Sequence, residues 1–281
     1  MTTELPPLET DQDRPLRVLP APSRLALVRQ RLAPVVLLVA VLAVWEIWVR
    51  WDNTPRWFLP PPSVIARTLV NDRALLAENA WVTLREILLG FVVALVAGVS
   101  SAIAIHASRL LERALYPILV ASQAIPIVAL APLLLIWFGH GLTPKIIVTA
   151  LVAFFPITVN VVDGLRSADR ELLNLLRALG AGRWARFRLV TFPTALPYLF
   201  SGARIGIAVA VIGAVFGELV GAEAGLGHLL TLSAANLRTD RVFACVAILA
   251  ALAVCLFSLV AVLERLVLPW RRFLVAAQPD A

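Results

Sequence analysis

Charge is what this chain has least of. Only 15% of its 281 residues are Asp, Glu, Lys or Arg, and 60% are hydrophobic, whereas soluble domains carry about a quarter charged residues. A water-soluble fold has no interior large enough to hide that much apolar surface. Cysteine is almost absent as well. Cys245 and Cys255 lie inside one apolar run, which excludes a disulfide scaffold and fits small buried hydrophobes. With 14 glycines the chain is not collagen-like, and its apolar content excludes wholesale disorder. The three histidines, His106, His140 and His228, are scattered and no two stand at metal-ligand spacing. The single lysine, Lys145, follows no glycine-rich loop, so the chain has no phosphate loop for ATP. No nucleophile–base pair is evident either. No catalytic residue, metal or cofactor is therefore expected, and the remaining class is an integral membrane protein.

What is present is a series of long apolar stretches. A helix needs about 20 apolar residues to cross the hydrocarbon core. Residues 87–107, 114–139, 146–162 and 242–263 meet or approach that length without an Asp, Glu, Lys or Arg, and 205–217 does so when extended backwards past Arg204. A sixth, 32–51, contains Glu46 and Arg50 and ends in Trp45, Trp48 and Trp51, which suit an aromatic belt. The expected fold is an all-α integral membrane protein with six transmembrane helices.

The net charge of +7 informs topology before it informs partners; it is not read as a nucleic-acid signal. With six spans, the N-terminal tail, the second and fourth loops and the C-terminus share one side. That side holds sixteen arginines, against seven basic residues on the other, so it is cytoplasmic and both termini lie there. Residues 1–31 are polar and Pro-rich, without the layout of a signal peptide, and read as a disordered cytoplasmic tail. The external loop 52–78 carries Pro60-Pro61-Pro62-Ser63 before an apolar-periodic run, the start of a short interfacial helix. Residues 265–281 form a cytoplasmic tail.

Polar residues within spans are functional candidates by default. Gln123 in the third span and Asn160 near the end of the fourth are candidates to line a translocation path, the alternative being hydrogen bonding between helices. Glu218, at the outer end of the fifth, is a packing or gating residue or part of that path. Glu46 and Arg204 read as snorkelling or paired. Small residues recur every fourth position at Gly90, Ala94 and Gly98, at Gly202, Gly206, Ala210 and Ala214, and at Gly213, Gly217 and Gly221. Such rows let helices approach closely, within one chain or across a dimer seam. Two rows on the fifth span suggest a central helix with two packed faces.

The loop 166–193 is the most informative segment. Leu172, Leu175, Leu176 and Leu179 follow the i, i+3, i+4, i+7 spacing of an amphipathic helix, and Asp169 and Glu171 supply acid at its start. Gly180-Ala181-Gly182 breaks it. A second short helix carries Arg183, Arg186 and Arg188, with Trp184 and Phe187 sharing an apolar side, and Pro193 and Pro197 close the loop. Such a hairpin either lies on lipid or docks a cytoplasmic partner.

These residues resemble a known pattern. Asn174-Leu175-Leu176, three residues (Arg177, Ala178, Leu179), Gly180, nine residues beginning at Ala181, then Val190-Thr191-Phe192-Pro193 is similar to the Glu-Ala-Ala loop of permease subunits of ABC importers. The Gly and Pro spacing matches. Asn174 stands where the family has Glu, so a salt bridge made by that Glu does not carry over. The resemblance extends over residues 79–264, the type-1 transmembrane module. The stretches Ser122 to Pro132 and Gly217 to Gly227 resemble the branch serving sulfonates, taurine, nitrate, and thiamine-precursor pyrimidines or riboflavin, and lean toward the last two. The resemblance implies that the loop couples to two copies of a separate ATPase subunit, that the chain pairs with a second copy of itself, that an extracytoplasmic solute-binding protein delivers the solute, and that the location is the bacterial cytoplasmic membrane. The rival is a self-contained six-span protein, either a secondary transporter or a membrane enzyme. Neither inverted repeats nor mid-membrane acids clearly support the former.

Overall fold

A computed structural model describes residues 24–269. Most of the expected tail 1–31 and residues 270–281 of the expected C-terminal tail lie outside them. The described residues are helical, with no strand among them. Helix α1, Arg24–Trp51, is a unit by itself. It contains the expected span 32–51 and begins earlier, inside the expected tail, because 24–32 are mostly Leu, Ala, Arg and Gln, all strong helix formers. Its Glu46 and Arg50 pair at 2.5 Å, one turn apart.

The second unit begins at Thr54. The proline signal at 60–63 is followed by α2, Pro62–Asn71, as expected, since proline at the first helical position sacrifices no intrahelical bond. Helix α3, Arg73–Ala107, has 35 residues, about 52 Å at 1.5 Å per residue. It starts well before the expected span at residue 87, because Arg85 and Glu86, which ended the charge-free window, sit inside the helix.

The expected third span, 114–139, is not one straight helix. It divides into α4, Arg109–Ser122, and α5, Ile127–Phe138, bent by 100°. Pro126 has no N–H to continue the ladder, and it biases Ile125 out of helical geometry. The chain tightens through three-residue bonds from Gln123, Ala124 and Ile125 to the carbonyls of Val120, Ala121 and Ser122. Helix α6, Leu142–Arg166, follows, then α7, Arg170–Ala178, and α8, Arg183–Arg186.

The prolines expected to close the next loop do not do so. The chain runs from α8 through a π turn, Phe187–Thr191, into α9, Phe192–Leu219. Pro193 occupies the first turn of α9, where its missing N–H is tolerated. That missing donor leaves the Leu189 carbonyl without its α-helical partner, and the wider turn lies at this point. Helices α10, Leu226–Ala235, and α11, Thr239–Val267, complete the unit. Among the described residues, four helical stretches are long and apolar enough to cross a membrane, or five if the bent pair counts as one.

Helix α6 is the centre of this unit, packed between α3 and α9. Small residues allow the approach. A Cβ on Gly90 of α3 would come within 2.5 Å of the Thr149 side chain, and one on Gly213 of α9 within 2.8 Å of the Thr149 Cα. The glycine rows therefore serve packing within the chain. The two rows of the fifth span do not mark separate faces: Gly202, Gly206, Gly213 and Gly217 all meet α6. Residues 202 and 213 are about three turns apart at 3.6 residues per turn, so both rows belong to one stripe. Arg204 pairs with Glu264 of α11 at 2.8 Å, as its position suggested.

Candidate functional site

Two places carry chemistry, at opposite ends of α6. The first is the hairpin between α6 and α9. Asp169 caps α7 by accepting from the amides of Glu171 and Leu172, and Glu171 lies in the first turn, where the helix dipole favours acid. The helix closes with the Ala181 amide donating to the Leu176 carbonyl at 2.9 Å and the Gly180 amide to Arg177 at 3.0 Å. That pair of bonds is a Schellman closure, and it needs a residue in left-handed conformation. Gly180 supplies it at φ +81°. Nothing lies within 4 Å of a Cβ built there.

The leucine stripe is bare. Leu175 is 56% exposed and Leu179 73%, with Leu172 also exposed and Leu176 half-buried. Asn174, also exposed, accepts from the Arg177 guanidinium at 3.3 Å. Trp184 stacks on Phe187 at 5.7 Å, and Phe187 lies 5.9 Å from Phe192, which fits the expected shared apolar side. Pro193 follows in α9, half-exposed beside this aromatic row. At the same end Arg166 pairs with Glu112 of α4 and lies over the Tyr116 ring, tying the end of α6 to α4.

The second place is a buried polar cluster at the other end. Glu218 and Glu86 are each 1% exposed. Thr83 donates to Glu218 at 2.6 Å, and Glu218 accepts from the Gly227 amide at 2.5 Å. The Gly225 amide donates to Asn79 Oδ1 and the Leu226 amide to Thr83 Oγ1, each at 2.8 Å. Lys145 of α6 donates to Glu86 of α3 at 2.7 Å. The first amides of α10, which no helix can satisfy internally, thus find acceptors on α3 and α9, and the Glu218 carboxylate sits at the positive end of a helix dipole. A charged group out of water needs such partners. A cavity of about 370 Å³ adjoins the cluster, bounded by α3, the turn after α5 and the turn after α9.

Outside this cluster, α2 is fastened to the start of α11. Thr68 donates to Asp240 at 2.8 Å, Arg241 pairs with Asp72 at 2.8 Å, and Thr239 donates to the Trp57 carbonyl.

The three polar residues singled out in the sequence do not meet. Gln123 is exposed at the α4–α5 break. Asn160 donates to the Pro156 carbonyl of its own helix at 2.7 Å and packs against Gly202. Glu218 alone belongs to the cluster. Asn79, Thr83, Glu86 and Lys145 escaped the sequence reading because a charge-free window stops short of each. Their one available signal was helical spacing: 79, 83 and 86 fall at i, i+4 and i+7, a polar stripe running into an apolar span.

Comparison with known proteins agrees with this architecture. Residues 90–269 match the family described as binding-protein-dependent transport system inner membrane component. The formylaminopyrimidine transport permease protein ThiX of Halalkalibacterium halodurans is 36% identical over 86% of this chain and 97% of its own length. The riboflavin transport system permease protein RibX of Chloroflexus aurantiacus is 40% identical over 84% of this chain and 88% of its own. An inward-facing structure of the MetNI methionine ABC transporter shares the fold with a TM-score of 0.57 at 22% identity, covering 68% of this chain and 97% of that one. The self-contained transporter and the membrane enzyme give way to this result: the chain belongs to the family of binding-protein-dependent transport inner membrane components, the multi-pass permeases of ABC transport systems.

Proposed function

We propose that this chain forms the translocation path of an ATP-driven importer in the bacterial cytoplasmic membrane and works as a homodimer. Two copies of a separate ATPase subunit dock on the hairpin, and an extracytoplasmic binding protein delivers the solute. The observation that carries this reading is the hairpin itself: a capped, Gly180-closed helix whose leucine stripe stands uncovered at the loop that resembles the family's coupling segment. Apolar side chains at helical spacing are what a groove on a partner accepts. Asn174, Leu175, Leu176, Arg177, Ala178, Leu179, Gly180, Ala181 and Pro193 form this coupling surface.

Six spans follow when α1 is counted with the four long helices and the bent pair. The hairpin and both termini are then cytoplasmic, in keeping with the arginine excess on that side. The buried cluster and its cavity face outward. Gln123, at a broken helix in mid-span, is exposed to the path; Asn160 and Glu218 act from positions where their hydrogen bonds are already committed to the fold. The solute is a small heterocycle of the thiamine-precursor pyrimidine or riboflavin type, as the names of the two relatives suggest, with a sulfonate, taurine or nitrate as the competing class.

Gly180→Glu tests the coupling assignment. The change adds charge and a side chain at positive φ on an exposed turn, remote from the spans. The variant is expected to insert at normal levels while losing co-purification with the ATPase and losing uptake. A variant that still binds its ATPase and still transports removes the docking role.

A further inference from the structure

Glu86 leaves one loose end in the buried cluster. Its Oε1 accepts from Lys145 at 2.7 Å, but its Oε2 is buried and has no hydrogen-bond donor among the described residues. The second carboxyl is close by. Thr83 and Glu86 lie about one turn apart on the same face of α3, and Thr83 donates to Glu218 at 2.6 Å. The Glu86 and Glu218 carboxyls are within hydrogen-bonding reach of each other. Lys145 meets them from α6, so tightly that a Cβ on Gly217, the residue before Glu218, would come within 3.1 Å of its Cα.

An ionised carboxyl can only accept, whereas a protonated one also donates. With both groups ionised, Glu86 Oε2 faces a second acceptor, which buried polar atoms avoid. Charge leads to the same answer. Two buried carboxylates against one ammonium leave one negative charge over, and the dipole of α10 offsets only about half of it. The neighbouring titratable groups do not make up the difference. Arg85, His140 and Glu223 stand exposed around the cavity, where water and salt screen them. On α11, Arg241 is paired with Asp72, and the buried Cys245 near Glu218 brings no positive charge. On α10, His228 follows Gly227, but the donors to the two carboxyls are Lys145, Thr83 and the Gly227 amide.

We propose that Glu86 and Glu218 bind one proton between them, and that this proton latches the start of α10 to α3 and α9. The proton gives Glu86 Oε2 its missing partner and brings the cluster to neutrality with Lys145. It belongs to the pair and not to either residue. Its route is the cavity, because Glu86 and Lys145 form part of the wall. Losing it sets two like charges side by side. Lys145 holds Glu86, so Glu218 is the group that gives way, and the bond to the Gly227 amide goes with it. The assignment stands on this cluster alone and is independent of the solute carried.

The test uses the purified full-length chain in detergent. Infrared spectroscopy reads the C=O stretch of a protonated carboxyl, identified by its shift in deuterated water. The wild type is expected to show this band at neutral pH, where exposed carboxyls are ionised. Glu86→Gln and Glu218→Gln are each expected to lose it, because either change leaves one carboxylate for the one ammonium. A wild type without the band, or a band kept by either variant, overturns the shared proton. Stability gives a second reading. While the pair keeps a proton that unfolded carboxyls have lost, stability falls as pH rises, by about tenfold in the folding constant per pH unit. Between about pH 6 and about pH 8, above the ordinary Glu range, Tm is expected to fall in the wild type and to hold in Glu218→Gln. Parallel curves overturn the site. Over the same range the Gly225, Leu226 and Gly227 amides of the wild type are expected to gain exchange relative to those of α6, by up to about tenfold per pH unit. No such gain overturns the latch and leaves the shared proton standing. Should a variant fail to fold, the wild-type band and the wild-type exchange decide by themselves.

Discussion

The two ends of the second unit face the same problem, helix amides and carbonyls that no helix can satisfy internally, and solve it differently. At the hairpin the solution is local. Asp169 caps the helix that starts beside it, and Gly180 closes that helix three residues after Arg177. At the far end the solution is distant: the Gly225 and Leu226 amides reach acceptors on Asn79 and Thr83, just over half the chain length away. A locally capped element keeps its shape while its surface stays free for a partner. An element capped from a distance moves only with the helices that cap it. The hairpin therefore suits docking, and α10 is bound rigidly to α3 and α9.

Glycine substitutions break this comparison most sharply. Gly225 and Gly180 both have positive φ, but a Cβ on Gly225 would fall 2.2 Å from Glu218 Oε1, whereas one on Gly180 meets nothing. Gly225→Ala is expected to strain the left-handed backbone by about 1–2 kcal/mol and to push the Glu218 carboxyl off its buried hydrogen-bond donors, at about 1–3 kcal/mol for each group left unsatisfied. It should appear as loss of a monodisperse peak in detergent. A stable, monodisperse Gly225→Ala protein would show that the cluster is not the lock described here.

The next effect is smaller and tests whether the cluster acts as one unit. Thr83→Ala leaves the Leu226 amide without its acceptor and removes the donor to Glu218. A cost of about 1–3 kcal/mol is expected for the buried unsatisfied group, read as a lowered Tm in detergent. Combined with Glu218→Gln, the two changes should fall short of additive by more than about 0.5 kcal/mol, as partners in one network do. Additive losses would separate them.

At the hairpin, Gly180→Ala is expected to cost about 1–2 kcal/mol of local strain from the left-handed backbone, with no change in the Tm of the spans. ATPase co-purification should fall. Gly180→Asn, which tolerates that conformation, should restore it; equal binding by all three proteins would show that the turn geometry is irrelevant to docking. The smallest effect is Asp169→Ala. Loss of one N-cap costs about 1 kcal/mol, and it should show as faster amide exchange in α7 with the spans unaltered. Slowed exchange there, or a lowered Tm of the spans, would mean that α7 is not the independent element its local caps imply.

What was legible in the sequence follows the same division. The stripe Leu172–Leu175–Leu176–Leu179, the acid at its start and the Gly180 break are statements about residues within one or two turns of each other, and each is found as the sequence implies. The proline signal before α2 is of the same kind. The helix break at Pro126 is present in the sequence as a missing N–H, which an apolar count from 114 to 139 does not register. Glu86 and Lys145 were invisible for the opposite reason: a charge-free window treats charge as a boundary, whereas a carboxylate and an ammonium 2.7 Å apart can sit inside packed helices.

By itself the sequence determined the membrane class, the approximate positions of the apolar helices, the arginine asymmetry and the capped hairpin, because hydropathy, charge and capping act over a few residues. Only the tertiary structure decided that both small-residue rows of α9 form one stripe against α6, that Asn79, Thr83, Glu86, Lys145 and Glu218 share one site, and that a cavity opens beside them. The physical reason is that these facts depend on which helices touch. In an apolar chain contact is set by close approach at small residues and by the need of each buried polar atom for a partner, conditions met by residues far apart in sequence.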